Sequence, residues 1–250
     1  MLAQSSIVPS SDPSRPETVG PRRRPTPSLL VRSRRRARDI AEAVLPRSVV
    51  AWRGPAGEEK TSGRGGRIAL TFDDGPTSLT RHYLAVLERY DVRATFFLVG
   101  ELCLRHPELV RAIARGGHEI AGHGYTHRRF SSLSRRALSV ELEQTRRLLP
   151  PHESRRAFVR PPHGAISVTS TLVTAAAGYT TVLWSYDSGD WATEEAREVA
   201  ERFTERPVTS GDIVLMHEGQ TWTLEALPRV LETLRGANHE LVTTSELLLG

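Results

Sequence analysis

The sequence predicts an α/β protein built as a distorted, trimmed (β/α) barrel with a mostly parallel sheet, preceded by an N-terminal extension. Three observations lead there. From Arg67 onward short apolar segments alternate with helical stretches, the rhythm of a parallel sheet. That part of the chain holds roughly 184 residues, too few for a full eightfold barrel of about 250. Titratable residues recur at the carboxyl ends of the strand-like segments, which in such folds share one rim. No apolar run approaches the roughly 18 residues of a membrane-spanning helix, so an integral membrane protein is excluded.

In chain order, residues 1–28 are rich in Ser, Pro and Arg, have almost nothing to bury and are expected to be disordered. Residues 29–66 are expected to form a short helix, an apolar strap and a Gly-rich linker. Ala37, Ile40, Ala41, Val44 and Leu45 fall at helical spacing with Arg34, Arg35 and Arg38 elsewhere on the turn. The expected role of this helix is docking on the main domain, with a basic helix on a membrane surface as the alternative. Pro46 ends it, Val49 to Trp52 can pack as a strap, and Gly54 to Gly66 is the linker. The best candidate stretch, Ser28 to Val31, stops at Arg32, and residues 34–45 carry Arg38, Asp39 and Glu42, so neither a secretory nor a twin-arginine signal is expected. A cytoplasmic or membrane-peripheral location is the corresponding expectation.

Residues 67–250 form the predicted globular domain. Its strand-like segments are Ile68–Phe72, Ala94–Val99, Glu119–Ala121, Ala157–Val159, Thr181–Ser185, Ile213–Met216 and Leu241–Thr244. Helices are predicted over Thr80–Tyr90, Pro107–Arg115, Ser134–Leu149, Thr169–Ala177, Glu194–Glu205 and Leu224–Arg235, with Ser134 as an N-cap and Gly116-Gly117 as a stop. Charge follows the same division. Of 34 basic and 29 acidic residues, 14 and 6 lie in residues 1–67, a net of +8, and 20 and 23 in the remainder, a net of −3. The basicity belongs to the extension, so nucleic-acid binding by the folded body is not expected. The single cysteine, Cys103, can form no internal disulfide and excludes a cysteine-cluster zinc site.

Five segments place unusual polar residues on the rim. Asp73-Asp74 follows the first strand, His123 and His127 the third, Arg160 the fourth, Asp187 and Asp190 the fifth, and His217 the sixth. Four of them have a bland reading: a turn for Asp73-Asp74, a shared helix face for His123 and His127, a surface arginine in a Pro-containing loop for Arg160, and a satisfied core histidine for His217. A turn explains one aspartate but not two adjacent ones, whose repulsion calls for a cation or other compensation. Gly122 and Gly124 put the two histidines in a loop that can bring both rings to one point. Two imidazoles plus a carboxylate suit zinc and leave a coordination position open.

Together these residues resemble a family. TFDDGP at 71–76, HGYTH at 123–127, RPPHG at 160–164, DSGDW at 187–191 and IVLMH at 213–217 are similar, in order, to the five motifs of the polysaccharide deacetylases, carbohydrate esterase family four. The resemblance covers about residues 66–250 and implies a distorted (β/α) barrel hydrolase that removes N- or O-acetyl groups from glycans with one divalent metal. Zinc is the expected ion, with cobalt an alternative. By resemblance, Asp74, His123 and His127 are the metal ligands, Asp73 the general base and His217 the general acid. Arg160 orients Asp73, Asp190 tunes His217, and Trp191 and Leu215 wall the acetyl pocket. The backbone N–H of His163 contributes to oxyanion binding.

Two positions depart from the pattern. The family usually has Ser or Thr where this chain has Gly124, and an aromatic residue where it has His163. If Gly124 has negative φ, Gly124→Ser should be tolerated and brace the loop. The expected partner is an acetylated glycan or oligosaccharide substrate, and the protein is expected to be a monomer. A related hydrolase of small cyclic amides and a catalytically silent glycan-binding module are the alternatives, but both generally lose parts of the acid–base set that this chain keeps. The remaining histidines, His82, His106, His118, His152 and His239, are expected to be surface or structural.

Overall fold

The computed structural model describes residues 45–55, 65–150 and 157–250. The predicted tail and most of the predicted basic helix and linker lie outside the described residues. Among the described residues the strands are β1 (Val50–Ala51), β2 (Arg67–Gly75), β3 (Thr95–Leu98), β4 (Glu119–Gly122), β5 (Ala157–Val159), β6 (Tyr179–Val182), β7 (Tyr186–Asp187), β8 (Ile213–His217) and β9 (Glu240–Val242). They form one sheet in the order β1-β6-β5-β4-β3-β2-β8-β7, with β9 also on β2. Every strand pairing is parallel. The helices are α1 (Thr80–Arg89), α2 (Gly100–Arg105), α3 (Pro107–Arg115), α4 (Arg135–Leu148), α5 (Val168–Ala176), α6 (Ala196–Glu205), α7 (Thr221–Gly236) and α8 (Thr244–Leu249). The sheet curls into the distorted, trimmed (β/α) barrel that the alternation predicts. Among the described residues no helix is long and apolar enough to cross a membrane.

The central strands β2, β3 and β8 are mostly apolar on both faces because both are buried, and their period of two sorts the side chains. Ile68, Leu70 and Phe72 of β2, Phe96 and Leu98 of β3, and Val214 and Met216 of β8 pack against Tyr83 and Leu87 of α1, Ile113 of α3, Phe203 of α6 and Leu227 and Val230 of α7. The alternate residues Ala69, Phe97, Ala121, Phe158, Val182 and Ile213 form a second cluster inside the curl. Continuing that second face by two residues along β4, β5 and β6 reaches His123, Arg160 and Trp184, and four residues beyond Ala69 and Ile213 it reaches Asp73 and His217. Strand parity therefore delivers the polar residues to the mouth of the barrel.

Several boundaries differ from expectation for identifiable reasons. The strand expected at 181–185 is β6, ending at Val182. The chain then crosses to the short β7 on the other sheet edge, with Ser185 N–H donating to the Ile213 carbonyl (3.1 Å). The expected strand 241–244 stops at Val242 because Thr243 and Glu246 form a reciprocal capping box that starts α8. Helix α2, six residues long, carries no strong periodic signal. Ser134 caps α4 as expected, accepting from Ala137 N–H.

The apolar strap is an extra strand. β1 pairs with β6 through Val50–Thr181 and Ala51–Val182. Trp52 is buried with Val50 and Leu183, flanked by Leu45, Val49, Ile166 and Trp184. Arg53 then pairs with Asp212 at 3.2 Å, and Gly54 N–H donates to the Gly211 carbonyl at 2.8 Å. Residues 50–54 thus join the β6 edge to the chain entering β8.

Candidate active site

Asp73 and Asp74 lie within β2, whose register against β3 breaks between Asp73 and Gly75. Adjacent residues of a regular strand point to opposite faces. Asp74 escapes this by adopting φ 73°, a bulge-like re-aiming of its side chain. Both carboxylates consequently approach one nitrogen: His123 Nε2 is 3.7 Å from Asp73 Oδ2 and 3.3 Å from Asp74 Oδ1. Gly75 is glycine because a Cβ there would run into the Glu218 carboxylate.

His123 follows β4 and is almost fully buried, and its Nδ1 lies 2.8 Å from the Arg160 carbonyl oxygen. A carbonyl only accepts, so Nδ1 carries the proton. In a neutral imidazole the Nε2 lone pair then faces Asp74, itself an acceptor. His127 adopts φ 58°, which turns its Nε2 to 2.9 Å from Asp74 Oδ1. That oxygen is buried without a well-aligned hydrogen-bond donor. One carboxylate oxygen and two imidazole nitrogens lie within 4.8 Å of one another. Lone pairs converging on a common point fit a cation, and one carboxylate with two imidazoles is a donor set that accepts zinc. Protons meet part of the same demand. Burial would raise the Asp74 carboxyl, but His123 and His127 hold it well below the usual carboxylate range. The Asp74 contact in turn raises the His127 imidazole.

Arg160 is the largest fully buried side chain of the described residues. Its Nη1 donates to Asp73 Oδ1 (2.6 Å) and Thr71 Oγ1 (2.8 Å), Nε to the Val182 carbonyl (3.2 Å) and Nη2 to the Leu183 carbonyl (3.1 Å). The guanidinium also lies 3.9 Å from the centre of the Phe97 ring. A buried guanidinium is tolerable only with such complete pairing. Asp73 Oδ1 is therefore fixed, and Oδ2 is left facing the histidines.

On β8, His217 stands in register beside Asp73. Its Nδ1 is 2.8 Å from Asp190 Oδ1. Asp190 Oδ2 accepts from the His217 backbone N–H (2.7 Å) and the Thr223 hydroxyl (3.0 Å). Burial alone would lower the imidazole, but the Asp190 hydrogen bond and charge, with Asp73 and Asp74 adding to them, push it up to about 9. Nδ1 is thereby tied down and Nε2–H is presented outward. Leu215, buried two residues earlier on the same face, lies beneath it. Trp191 is 62% exposed, held by its Nε1–H on Asp187 Oδ1 (3.2 Å). His163 adopts φ 59° and its ring centre is 5.0 Å from that of His127, so a third imidazole borders the site.

Gly124 contradicts the negative φ on which tolerance of serine depends: its φ is 77°. A Cβ there would stand 3.1 Å from Phe130 Cε1 and 3.5 Å from Glu141 Oε2. Two buried acids escape the sequence reading. Glu218 Oε1 accepts from the Thr77 N–H (3.0 Å) and from the Thr77 and Thr80 hydroxyls, and burial raises its carboxyl against these bonds. Glu141 contacts the 123–127 loop from α4. The available signal for Glu141 is an acid on the buried stripe Leu138, Glu141, Leu142, Thr145. Of the remaining histidines, His118 accepts from the Ala94 N–H (3.2 Å), and burial lowers it to about 4, a structural role.

A cation-ready donor set flanked by a fixed carboxylate and a tethered imidazole, all at the carboxyl ends of barrel strands, has the parts of a hydrolytic site. Comparison with known proteins agrees. The polysaccharide deacetylase family model matches residues 60–182. A peptidoglycan-N-acetylglucosamine deacetylase of Bacillus cereus is 34% identical over 215 residues, covering 84% of this chain and 97% of the relative. A chitooligosaccharide deacetylase of Sinorhizobium fredii is 35% identical over 156 residues, covering 61% of this chain and 72% of the relative. The crystal structure of a peptidoglycan N-acetylglucosamine deacetylase in complex with 4-naphthalen-1-yl-N-oxidanyl-benzamide superposes with a TM-score of 0.72 at 26% identity, covering 80% of this chain and 93% of the other. The chain belongs to the polysaccharide deacetylase family.

Proposed function

We propose that the protein is a metal-dependent hydrolase that removes N-acetyl groups, with O-acetyl groups as a secondary substrate, from a glycan or oligosaccharide containing N-acetylglucosamine. The observation that carries this reading is the convergence of Asp74, His123 and His127 beside the Asp73–Arg160 and His217–Asp190 pairs. Asp74, His123 and His127 would hold one divalent cation, zinc or cobalt. Such a cation supplies Lewis acidity, which lowers the pKa of water toward about 7 and polarises a carbonyl.

The remaining chemistry belongs to side chains. Asp73, with Oδ1 locked by Arg160, uses Oδ2 to take a proton from the water that attacks the acetyl carbon. An amine leaves poorly unless protonated, and His217 Nε2–H donates to that nitrogen as the C–N bond breaks. Acetate and a free amine result. Asp190 keeps His217 protonated at neutral pH, as a general acid requires. His163 contributes its backbone N–H to the oxyanion. Exposed Trp191 and buried Leu215 supply the walls of the acetyl pocket. The relatives named as acting on peptidoglycan and chitooligosaccharide support an N-acetylglucosamine-containing substrate.

The test is acetate release from a panel of acetylated glycans, before and after chelation and with zinc or cobalt added back. Chelation should abolish activity and the metal should restore it. Asp73→Asn and His217→Ala should each lower kcat at least about 100-fold while the protein still binds metal. Full activity of metal-free Asp74→Ala protein overturns the metal assignment, and near-normal turnover of His217→Ala overturns the acid.

A further inference from the structure

Glu141 sits in the middle of α4, only 6% exposed, where neighbouring turns present Leu138, Leu142 and Thr145 to the core. A carboxylate buried there is tolerable only if its oxygens are hydrogen-bonded. They are, and every donor comes from the loop that carries the two imidazoles. Oε2 accepts from the backbone N–H groups of Tyr125 (2.7 Å) and Thr126 (2.9 Å), and Oε1 from the Thr126 hydroxyl (2.5 Å). The same loop is tied elsewhere by carbonyls. Gly124 O accepts from Gly100 N–H (2.9 Å) and Tyr125 O from Glu101 N–H (3.0 Å), at the start of α2.

The loop needs this restraint. Gly124 at φ 77° and His127 at φ 58° are both left-handed, a conformation that an L-residue such as His127 keeps only where surroundings over-determine it. The separation of His123 from His127 depends on the three residues between them, two of which Glu141 holds. An apolar residue would fill the position in α4 equally well but would leave two loop N–H groups without acceptors.

We propose that Glu141 is a positioning residue: its buried carboxylate sets the relative placement of the His123 and His127 imidazoles, and cation affinity depends on it. The inference rests on the reading of Asp74, His123 and His127 as a cation site.

The experiment measures zinc affinity of the full-length protein by competition with a chromophoric chelator, and the visible spectrum of its cobalt form. Glu141→Ala is expected to weaken zinc binding about 10–100-fold and to alter the cobalt spectrum, with turnover recovering as zinc is raised to saturation. Glu141→Gln keeps an acceptor for the two N–H groups and an amide that can donate to the Thr126 hydroxyl oxygen, so it should restore most of the affinity. Leu138→Ala, on the same buried stripe but without a bond to the loop, should lower the melting temperature while leaving zinc affinity unchanged. Wild-type zinc affinity and cobalt spectrum in folded Glu141→Ala overturn the proposal. So does an equal affinity loss in Leu138→Ala. If Glu141→Ala does not fold, Thr126→Val decides: it removes one of the three bonds, and unchanged zinc affinity overturns the proposal. Failure of the wild-type protein to bind zinc or cobalt would instead sink the cation site itself, and the proposal with it.

Discussion

Replacing Asp190 by asparagine tests the proposal that Asp190 keeps His217 ready to donate a proton. Asp190 is fully buried and contacts both the ring and the backbone of His217. With Asp190 present, the imidazole is pushed up to about 9 from an ordinary value of about 6.5, a preference for the charged form of about 3 kcal/mol. Asparagine can still accept from the backbone N–H and from Thr223, but its amide can only donate to Nδ1, and it carries no charge. Burial, which lowers the imidazole, would then act against much weaker support, so the titration should fall to about 6.5 or below. At pH 7.5 the acid form would drop from nearly all molecules to roughly one in ten, and the alkaline limb of kcat should move down by about two pH units or more.

The assay is acetate release as a function of pH at saturating metal, with the histidine ring titration followed by NMR. Because the groups of the site titrate together, the limbs belong to the coupled site, and the comparison of variant with wild type is what counts. Linkage supplies an independent readout. A histidine raised in the folded state stabilises it fully below its unfolded value near 6.5, and that contribution is lost as pH rises through about 9. Wild-type stability should therefore decline by about 3 kcal/mol across that window, and the Asp190→Asn protein should lack most of the decline. An alkaline limb that superimposes on the wild type would refute the reasoning.

Gly124→Ser should lower stability by about 1–2 kcal/mol, since it forces a β-carbon into left-handed backbone, and should weaken zinc binding; chelator competition showing unchanged or tighter binding would contradict the φ of 77°. Trp52→Ala should cost about 3–5 kcal/mol in urea unfolding, the usual loss for a buried large aromatic, because Trp52 packs between β1 and Leu183; an unchanged midpoint would mean that the strap does not hold the barrel. Arg160→Met should destabilise by about 3–5 kcal/mol, because it leaves Asp73 buried without its partner; a melting temperature equal to the wild type would show that the pair is dispensable.

The amino-acid sequence by itself determined which residues reach the rim. In a parallel βα fold the strand ends share one side, and a period of two along each strand sends Asp73, His123, Arg160 and His217 to the same face as Ala69, Ala121, Phe158 and Ile213. Both facts are local and survive errors of two or three residues in strand boundaries, such as that at β6. What only the tertiary structure decided depends on contacts distant in sequence or on backbone angles. The left-handed angles of Asp74, Gly124, His127 and His163 aim the side chains, and no residue pattern announces them, since three of the four are not glycine. Glu141 reaches Tyr125 across 16 positions and Glu218 reaches Thr77 across 141. Their carboxylates look like ordinary helix and loop acids until folding buries them against backbone N–H groups. The strap at β1 and the crossing to β7 are likewise decided by sheet edges that exist only after the barrel has curled. Local chemistry thus names the participants, and the energy of satisfying buried polar groups fixes where each one points.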